Sequence, residues 1–239
     1  MKKHIPNTIT CCNLISGCIA TYFAFRQDYE LALLFIIVGA VFDFFDGFTA
    51  RLLKVSSPIG KELDSLADDI TFGFAPAAIV YAMLVQLATA FLPSGAPEWM
   101  TTVLPFVAFL IAAFSALRLA KFNLDERQTT SFIGLPTPAN ALFWGGLAYS
   151  LHADDVLMHS PWFMLALIVG VFVSSLLLVS EVPMFALKFK TFAVRPNLLR
   201  YGFVLFSAIM LLYLGIGGFP VIIVAYVLVS IVHNALTRP

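Results

Sequence analysis

Long apolar stretches dominate this chain and restrict it to folds that a lipid bilayer can surround. A helix needs about 20 mostly apolar residues to cross a bilayer, and the sequence contains eight stretches of this kind. They cover residues 8–25, 31–50, 64–91, 101–121, 136–152, 161–181, 199–216 and 219–236. Only 12% of the 239 residues are charged, against the ~25% of soluble domains. The sequence therefore predicts an all-α integral membrane protein, an eight-helix transmembrane bundle.

The segments between the apolar stretches are too short to form a separate soluble domain. We therefore expect residues 1–239 to make a single polytopic membrane domain, with the bundle spanning residues 8–236. Residues 1–7 contain Lys2 and Lys3 and are expected to form a short basic segment lying on the membrane surface.

Basic residues are distributed very unevenly between the two sides of the predicted bundle. Eight crossings place 13 of the 14 Lys and Arg residues on one side and only Arg26 on the other. Loops rich in Lys and Arg stay in the cytoplasm. We therefore expect both termini, and the loop between the second and third helices, to lie on the cytoplasmic side of the inner membrane.

Four aspartates interrupt the apolar pattern within 26 residues: Asp43, Asp46, Asp64 and Asp68. A carboxylate inside a membrane costs several kcal/mol and usually marks a functional site. At about 100° per residue, the first two aspartates share one helical face, and the last two share a face of the next helix. The acidic faces of neighbouring helices are therefore expected to meet near the cytoplasmic end of the bundle.

A short polar turn at residues 54–58 joins these two helices. Ser57 is predicted to cap the second of them, and Pro58 suits its first turn. Such a tight connection makes the helices antiparallel neighbours. We expect Asp69, which follows the second acidic pair, to be a solvated residue at the membrane interface.

The residue types around the aspartates indicate phosphate chemistry with divalent cations. Carboxylates suit Mg²⁺ or Mn²⁺, and a pair of such ions ~4 Å apart clamps phosphoryl groups. Gly47, Ala50 and Gly60 leave room for a nucleotide or pyrophosphate on the same faces, and the Arg51 guanidinium suits a phosphate oxygen. A cation pathway in a transporter would also use buried acids, so the residues alone leave that alternative open.

The pattern D-x-x-D-G-x-x-A-R-x8-G-x-x-x-D-x-x-x-D resembles the signature of the CDP-alcohol phosphotransferase family at every specified position. The resemblance implies an integral membrane protein with a six-helix core, usually dimeric, in which an alcohol displaces CMP from a CDP-alcohol. It implies two metal ions, Mg²⁺ or Mn²⁺, held by Asp43, Asp46, Asp64 and Asp68. It makes Asp68 the base for the incoming hydroxyl. It assigns the CDP pocket to Gly47, Ala50, Arg51 and Gly60.

Other segments resemble the subfamily that uses CDP-diacylglycerol and serine. They are residues 5–14, which read I-P-N-T-I-T-C-C-N-L, and residues 116–123 and 132–140. The resemblance implies transfer of the phosphatidyl group to the hydroxyl of L-serine, with phosphatidylserine and CMP as products. Near Ser180 the chain departs from the pattern of that subfamily, which weakens any assignment of Lys188 and Lys190.

Serine carries a carboxylate, so its pocket should offer a cation. Arg118 and Lys121 are three residues apart on one helical face, and Asn123 could add hydrogen bonds. The alternative for the two cations is anchoring at the cytoplasmic interface. Asn7 and Asn13 either contact the nucleotide or diphosphate, or cap the first helix.

Competing functions remain open at this stage. The same reaction class could use glycerol 3-phosphate or inositol phosphate as acceptor, and a divalent-cation transporter or a lipid-binding scaffold would belong to other classes. We expect the partners to be CDP-diacylglycerol, L-serine, CMP, membrane lipids and a second copy of the chain, and we expect no nucleic acid.

Overall fold

The computed structural model describes residues 4–92, 97–124, 132–152, 161–185, 193 and 197–237, and most of them are helical. In chain order the helices are α1 (His4–Phe25), α2 (Tyr29–Leu53), α3 (Pro58–Asp68), α4 (Ala75–Phe91), α5 (Glu98–Thr102), α6 (Leu110–Leu124), α7 (Thr137–His152), α8 (Pro161–Val179), α9 (Leu198–Leu214) and α10 (Phe219–Thr237). There are also two short strands, β1 (Phe132–Ile133) and β2 (Pro183–Met184), and 3-10 helical turns at Leu104–Phe109 and Gly215–Gly218.

The described helices confirm an integral membrane protein. Six helical segments are long and apolar enough to cross a bilayer. Helix α7 has 16 residues and falls short of that length. One of the six segments, Leu198–Leu236, is 39 residues long and contains both α9 and α10. The ring centres of Phe203 in α9 and Tyr226 in α10 lie 5.7 Å apart. In one straight helix those residues would be separated by about 34 Å, at 1.5 Å per residue, so the chain reverses direction between α9 and α10.

The connection between α2 and α3 has the predicted caps. Helix α2 ends at Leu53 and is capped by Lys54, whose backbone is left-handed with φ of 51°. The Ser57 hydroxyl then accepts a hydrogen bond from the backbone N–H of Gly60 at 3.0 Å, with Pro58 in the first turn of α3. The turn places α2 and α3 side by side, as the sequence predicts. Residues 4–7 of the expected surface segment form the start of α1, and residues 1–3 lie outside the described part.

Helix α3 continues into α4 through a wider π-helical turn, Asp69–Phe74. The whole stretch Pro58–Phe91 is helical over 34 residues. Such π turns inside α-helices often occur at functional sites. Here the π turn starts directly after Asp68, where it changes the direction in which the following side chains point.

Helix α4 is the centre of the bundle. Its alanines, including Ala75, Ala77, Ala78 and Ala82, are buried, and such small side chains allow neighbouring helices to approach closely. The adjoining core includes Trp144 of α7, which donates a hydrogen bond from its indole nitrogen to Ser174 of α8 at 3.2 Å. Buried apolar groups around α4 thus hold α1, α2 and α7 in fixed relative positions.

The two-stranded ribbon departs from the predicted all-α class. Phe132 pairs with Met184, and Ile133 with Pro183, in antiparallel register. Gly134, with φ of 74°, then turns the chain toward α7, and its N–H donates to the carbonyl of Val182 at 2.9 Å. A pairing across 50 residues leaves no periodic signal in strands of two residues, which is why the apolar pattern did not reveal it.

Candidate active site

Three of the predicted aspartates come together between α2 and α3. One carboxylate oxygen from each of Asp43, Asp64 and Asp68 lies within 4.8 Å of the other two. Asp43 is on α2, and the other two are one helical turn apart on α3. The acidic faces of the two helices therefore meet, as the spacing predicted.

Asp46 lies next to this group but has a different environment. Its side chain is 6% exposed, and its Oδ2 accepts a hydrogen bond from the Thr10 hydroxyl of α1 at 2.6 Å. Asp46 and Asp64 both line a cleft beside the cluster. Asp46, the fourth aspartate, thus lies between the three clustered carboxylates and the cleft.

Asp68 is also held by α1. The Asn13 amide nitrogen donates a hydrogen bond to Asp68 Oδ1 at 3.1 Å, and Asn13 is fully buried. The backbone carbonyl of Asn13 in turn accepts a hydrogen bond from the Thr71 hydroxyl at 3.0 Å. Asn13 is therefore a structural neighbour of the acidic cluster, whereas Asn7, the other predicted nucleotide-binding asparagine, lines the cleft.

The donor set fits a hard divalent cation. Ligands on opposite sides of a Mg²⁺ ion, each about 2.1 Å from it, are roughly 4.2 Å apart, close to the separation of the clustered oxygens. In addition, the Oδ1 atom of Asp64 is buried and has no hydrogen-bond partner among the described residues. A buried carboxylate oxygen without a donor is costly, and a cation placed among these groups would satisfy it.

The cleft beside the aspartates has a volume of about 260 Å³. Its lining includes Asn7, Thr10, Gly47, Ala50, Gly60 and Lys61. A Cβ on Gly60 would lie 3.0 Å from Asn7 Oδ1 and from Ser57 Oγ, so the glycine permits a close approach of α1. A Cβ on Gly47 would meet nothing closer than the Arg51 guanidinium at 3.7 Å, so this glycine keeps the cleft open.

Arg51 lies beside the cleft, with an exposed side chain. Its guanidinium lies 3.7 Å from the position of a Cβ on Gly47, which lines the cleft. The predicted pocket residues Gly47, Ala50, Arg51 and Gly60 are spatial neighbours in the structure.

Arg118 is a buried cation close to the acidic cluster. It is 7% exposed and lies near enough to Asp68 for the two charges to interact. Its Nη1 donates to the Thr137 hydroxyl at 3.3 Å, and its Nε is buried without a hydrogen-bond partner in the described part of the chain. The ring of Phe122 lies 5.6 Å from the guanidinium carbon.

The other two residues predicted to bind serine lie further along α6. Lys121 is exposed and lines a recess of about 30 Å³ together with Arg118 and Glu181. The Asn123 side chain donates to the Ser65 hydroxyl at 2.8 Å, and its backbone carbonyl accepts from Lys61 Nζ at 3.1 Å. Asn123 therefore connects the end of α6 to α3. Lys188 and Lys190 lie outside the described residues.

Several residues of the site were not evident from the sequence. Thr10 and Thr137 belong to the segments that resemble the serine subfamily, but no role was predicted for either, and Thr71 reads as an ordinary polar residue. Each of the three contacts a candidate site residue. Asp69 is only partly exposed: its Oδ1 is buried without a partner in the described chain and would lie 2.7 Å from a Cβ on Gly73. Asp69 begins the π turn, and no sequence motif predicts that turn.

The fold and the site together define a polytopic helical membrane protein with a carboxylate cluster beside a cleft lined by small residues. Residues 3–237 match the family model described as CDP-alcohol phosphatidyltransferase, and the chain belongs to that family. The matched region covers almost the whole sequence and includes all the described helices.

Curated relatives share a common name. A Bacillus subtilis protein named CDP-diacylglycerol–serine O-phosphatidyltransferase is 36% identical over 140 residues, which are 57% of this chain and 70% of that protein. A Mycobacterium leprae protein of the same name is 30% identical over 237 residues, 95% of this chain and 70% of that protein. A Saccharomyces cerevisiae protein of that name is 32% identical over 175 residues, covering 66% and 58% of the two chains.

Proposed function

We propose that this protein transfers the phosphatidyl group of CDP-diacylglycerol to the hydroxyl of L-serine, giving phosphatidylserine and CMP. Family membership supports the reaction class, and the shared name of the relatives supports serine as acceptor. The observation that carries the proposal is the position of a buried arginine, Arg118, near Asp68, which itself belongs to the carboxylate cluster beside the cleft. This arrangement offers separate places for a nucleotide diphosphate and for a small acceptor that carries a carboxylate.

Metal ions are part of the proposed site. Asp43, Asp46, Asp64 and Asp68 would hold Mg²⁺ or Mn²⁺, two ions by family analogy, and bound ions would offset the charge of the diphosphate and of the departing CMP. Without such cations, the carboxylates would repel a diphosphate. Gly47, Ala50 and Gly60 supply the space for CDP, Asn7 and Arg51 supply donors, and the Asn13 amide stays on Asp68.

Arg118 has the geometry for a carboxylate. The Nη1 atom of Arg118 donates to Thr137. This hydrogen bond does not use the other edge of the guanidinium, which carries Nε and Nη2. The two N–H groups of this edge are parallel and match the two oxygens of a carboxylate. Serine held there, with Lys121 and Asn123 nearby, would direct its hydroxyl toward Asp68.

Asp68 then acts as the general base. Its Oδ1 accepts from Asn13, and a carboxylate oxygen of Asp68 takes the proton of the serine hydroxyl. The serine oxygen forms a bond to the phosphorus attached to the lipid, while the bond from that phosphorus to the CMP oxygen breaks. No covalent nucleophile stands out among the described residues of the site, so we propose one in-line displacement. Inversion at a chiral phosphorothioate substrate supports it, and retention contradicts it.

The orientation in the membrane belongs to the same proposal. We propose that the chain crosses the membrane eight times, with α7, α9 and α10 each making one crossing. Both termini and the site face the cytoplasm. We propose that the protein is a homodimer. The distribution of Lys and Arg in the sequence supports this orientation.

The direct test measures CMP release by the purified protein from CDP-diacylglycerol with Mg²⁺ or Mn²⁺. Serine, glycerol 3-phosphate and inositol phosphate are compared as acceptors, with an EDTA-treated sample as the metal-free control. We expect release to require both serine and the cation. A rate that is equal with and without serine would remove the serine assignment, and a higher rate with a phosphorylated acceptor would replace it.

A further inference from the structure

Helix α1 carries a polar stripe on a buried face although it crosses the apolar part of the bundle. Thr10 and Asn13 are 3% and 0% exposed, and three residues along a helix keep side chains on one face. Each of these side chains contacts a different aspartate of the site. The stripe therefore reaches both acidic helices, α2 through Asp46 and α3 through Asp68.

The Thr10 hydroxyl has one hydrogen and two neighbouring acceptors. The carbonyl of Pro6 lies 3.1 Å away, whereas Asp46 Oδ2 lies 2.6 Å away. The shorter contact is to a carboxylate, and hydrogen bonds to ionised acceptors are shorter and stronger than neutral ones. The Thr10 hydroxyl therefore donates its hydrogen to Asp46 rather than to Pro6. This hydrogen bond from α1 holds one carboxylate oxygen of Asp46 in place.

Asn13 is held rigidly enough to orient Asp68. Its backbone carbonyl accepts the Thr71 hydroxyl, and α2 approaches so closely at Gly39 that a Cβ there would lie 3.0 Å from Asn13 Oδ1. Thr71 is packed in the same way, since a Cβ on Gly17 would lie 2.4 Å from its hydroxyl oxygen. The amide therefore has little freedom to rotate away from the carboxylate.

We propose that Thr10 and Asn13 are positioning residues, which orient Asp46 and Asp68 for divalent-cation binding without contacting the cation. Both donors are neutral, so they fix carboxylate oxygens without cancelling the negative charge that binds the cation. Groups of this kind typically change metal affinity or activity 10- to 100-fold when removed. The inference rests on the proposed function in assigning the aspartates to a cation.

The test titrates purified full-length protein in detergent with Mn²⁺ alone and follows free Mn²⁺ by its EPR signal. Thr10→Val removes the hydroxyl at constant shape, and we expect Mn²⁺ affinity to fall roughly 10- to 100-fold. Thr10→Ser keeps the hydroxyl and should bring Mn²⁺ affinity back to within about threefold of the original protein. Thr21→Val is the matched control, because among the described residues the Thr21 hydroxyl donates its hydrogen bond to the backbone carbonyl of Gly17 in its own helix.

Asn13→Ala supplies an independent arm through the other aspartate, with the same expected loss of Mn²⁺ affinity. Thermal unfolding without metal is measured for each variant, so that the Mn²⁺ titrations are compared at a temperature at which every variant is folded. In turnover, Thr10→Val should lower kcat while the KM for serine changes little.

The proposal is overturned if Thr10→Val and Asn13→Ala bind Mn²⁺ as tightly as Thr21→Val, or if Thr10→Ser is as weak as Thr10→Val. Absence of Mn²⁺ binding by the unaltered protein overturns it as well. The titration contains neither lipid nor serine. A protein whose Mn²⁺ affinity depends on the Thr10 hydroxyl but that releases no CMP with serine would therefore contradict the proposed function and support this inference.

Discussion

Replacing Arg118 with lysine preserves the positive charge but removes the planar edge that we propose binds the carboxylate of serine. The Nη1 atom already donates to Thr137 at 3.3 Å, so serine would use the edge that carries Nε. A lysine ammonium in the same place could supply one of the two parallel hydrogen bonds. A charge-assisted hydrogen bond contributes about 1.5–3 kcal/mol, so kcat/KM for serine should fall roughly 10- to 150-fold, at 1.36 kcal/mol per tenfold.

The assay follows CMP release at saturating CDP-diacylglycerol while the serine concentration is varied. The loss should be mainly in the KM for serine, with the KM for CDP-diacylglycerol unchanged. Arg26→Lys is the matched control, because it makes the same chemical change at an exposed arginine in the connection between α1 and α2. An unchanged serine KM in Arg118→Lys, or an equal rise in the KM for both substrates, would refute the assigned contact.

Three further predictions follow from the same structure. Asp68→Asn should abolish CMP release yet retain binding of CDP-diacylglycerol in an equilibrium binding assay, and continued turnover would show that Asp68 is not the base. Gly17→Ala should lower the melting temperature, because the added carbon would lie 2.4 Å from Thr71 Oγ1 and overpacking costs about 1–3 kcal/mol. Gly202→Ala, with nothing within 4 Å, is its control, and equal melting temperatures would contradict the packing argument. Reporter fusions should place the C-terminus in the cytoplasm and the connection between α1 and α2 outside, and the reverse result would overturn the proposed orientation.

Much of the fold follows from the sequence because local chemistry dominates in a bilayer. Apolar stretches of sufficient length form helices since the hydrocarbon core leaves no other partner for backbone groups. The cap of α3 was predictable as well, because Ser57 and Pro58 act within their own turn. The helical period places Asp64 and Asp68 on one face, so the acidic cluster was predictable once the short turn made α2 and α3 neighbours.

The family signature covers residues whose types and spacing are sufficient to recognise them, such as Gly47, Ala50 and Arg51. These residues can be recognised in the sequence because each proposed role depends on the residue type itself. Glycine and alanine leave space, and arginine carries a fixed charge. In the structure Gly47, Ala50 and Gly60 line the cleft. The burial of Arg118 could not be predicted from the sequence, because a cation anchored at the interface and a buried cation look the same there.

The sequence by itself thus determined the membrane helices, the acidic faces and the small residues beside them. These depend on interactions within one turn or on one helical period. Only the tertiary structure decided that Thr10 donates to Asp46, that Asn13 donates to Asp68, and that one oxygen of Asp69 is buried. Those contacts join residues 36 and 55 positions apart. These contacts form only when several buried helix faces pack together. No local sequence pattern determines the distance between two packed helices.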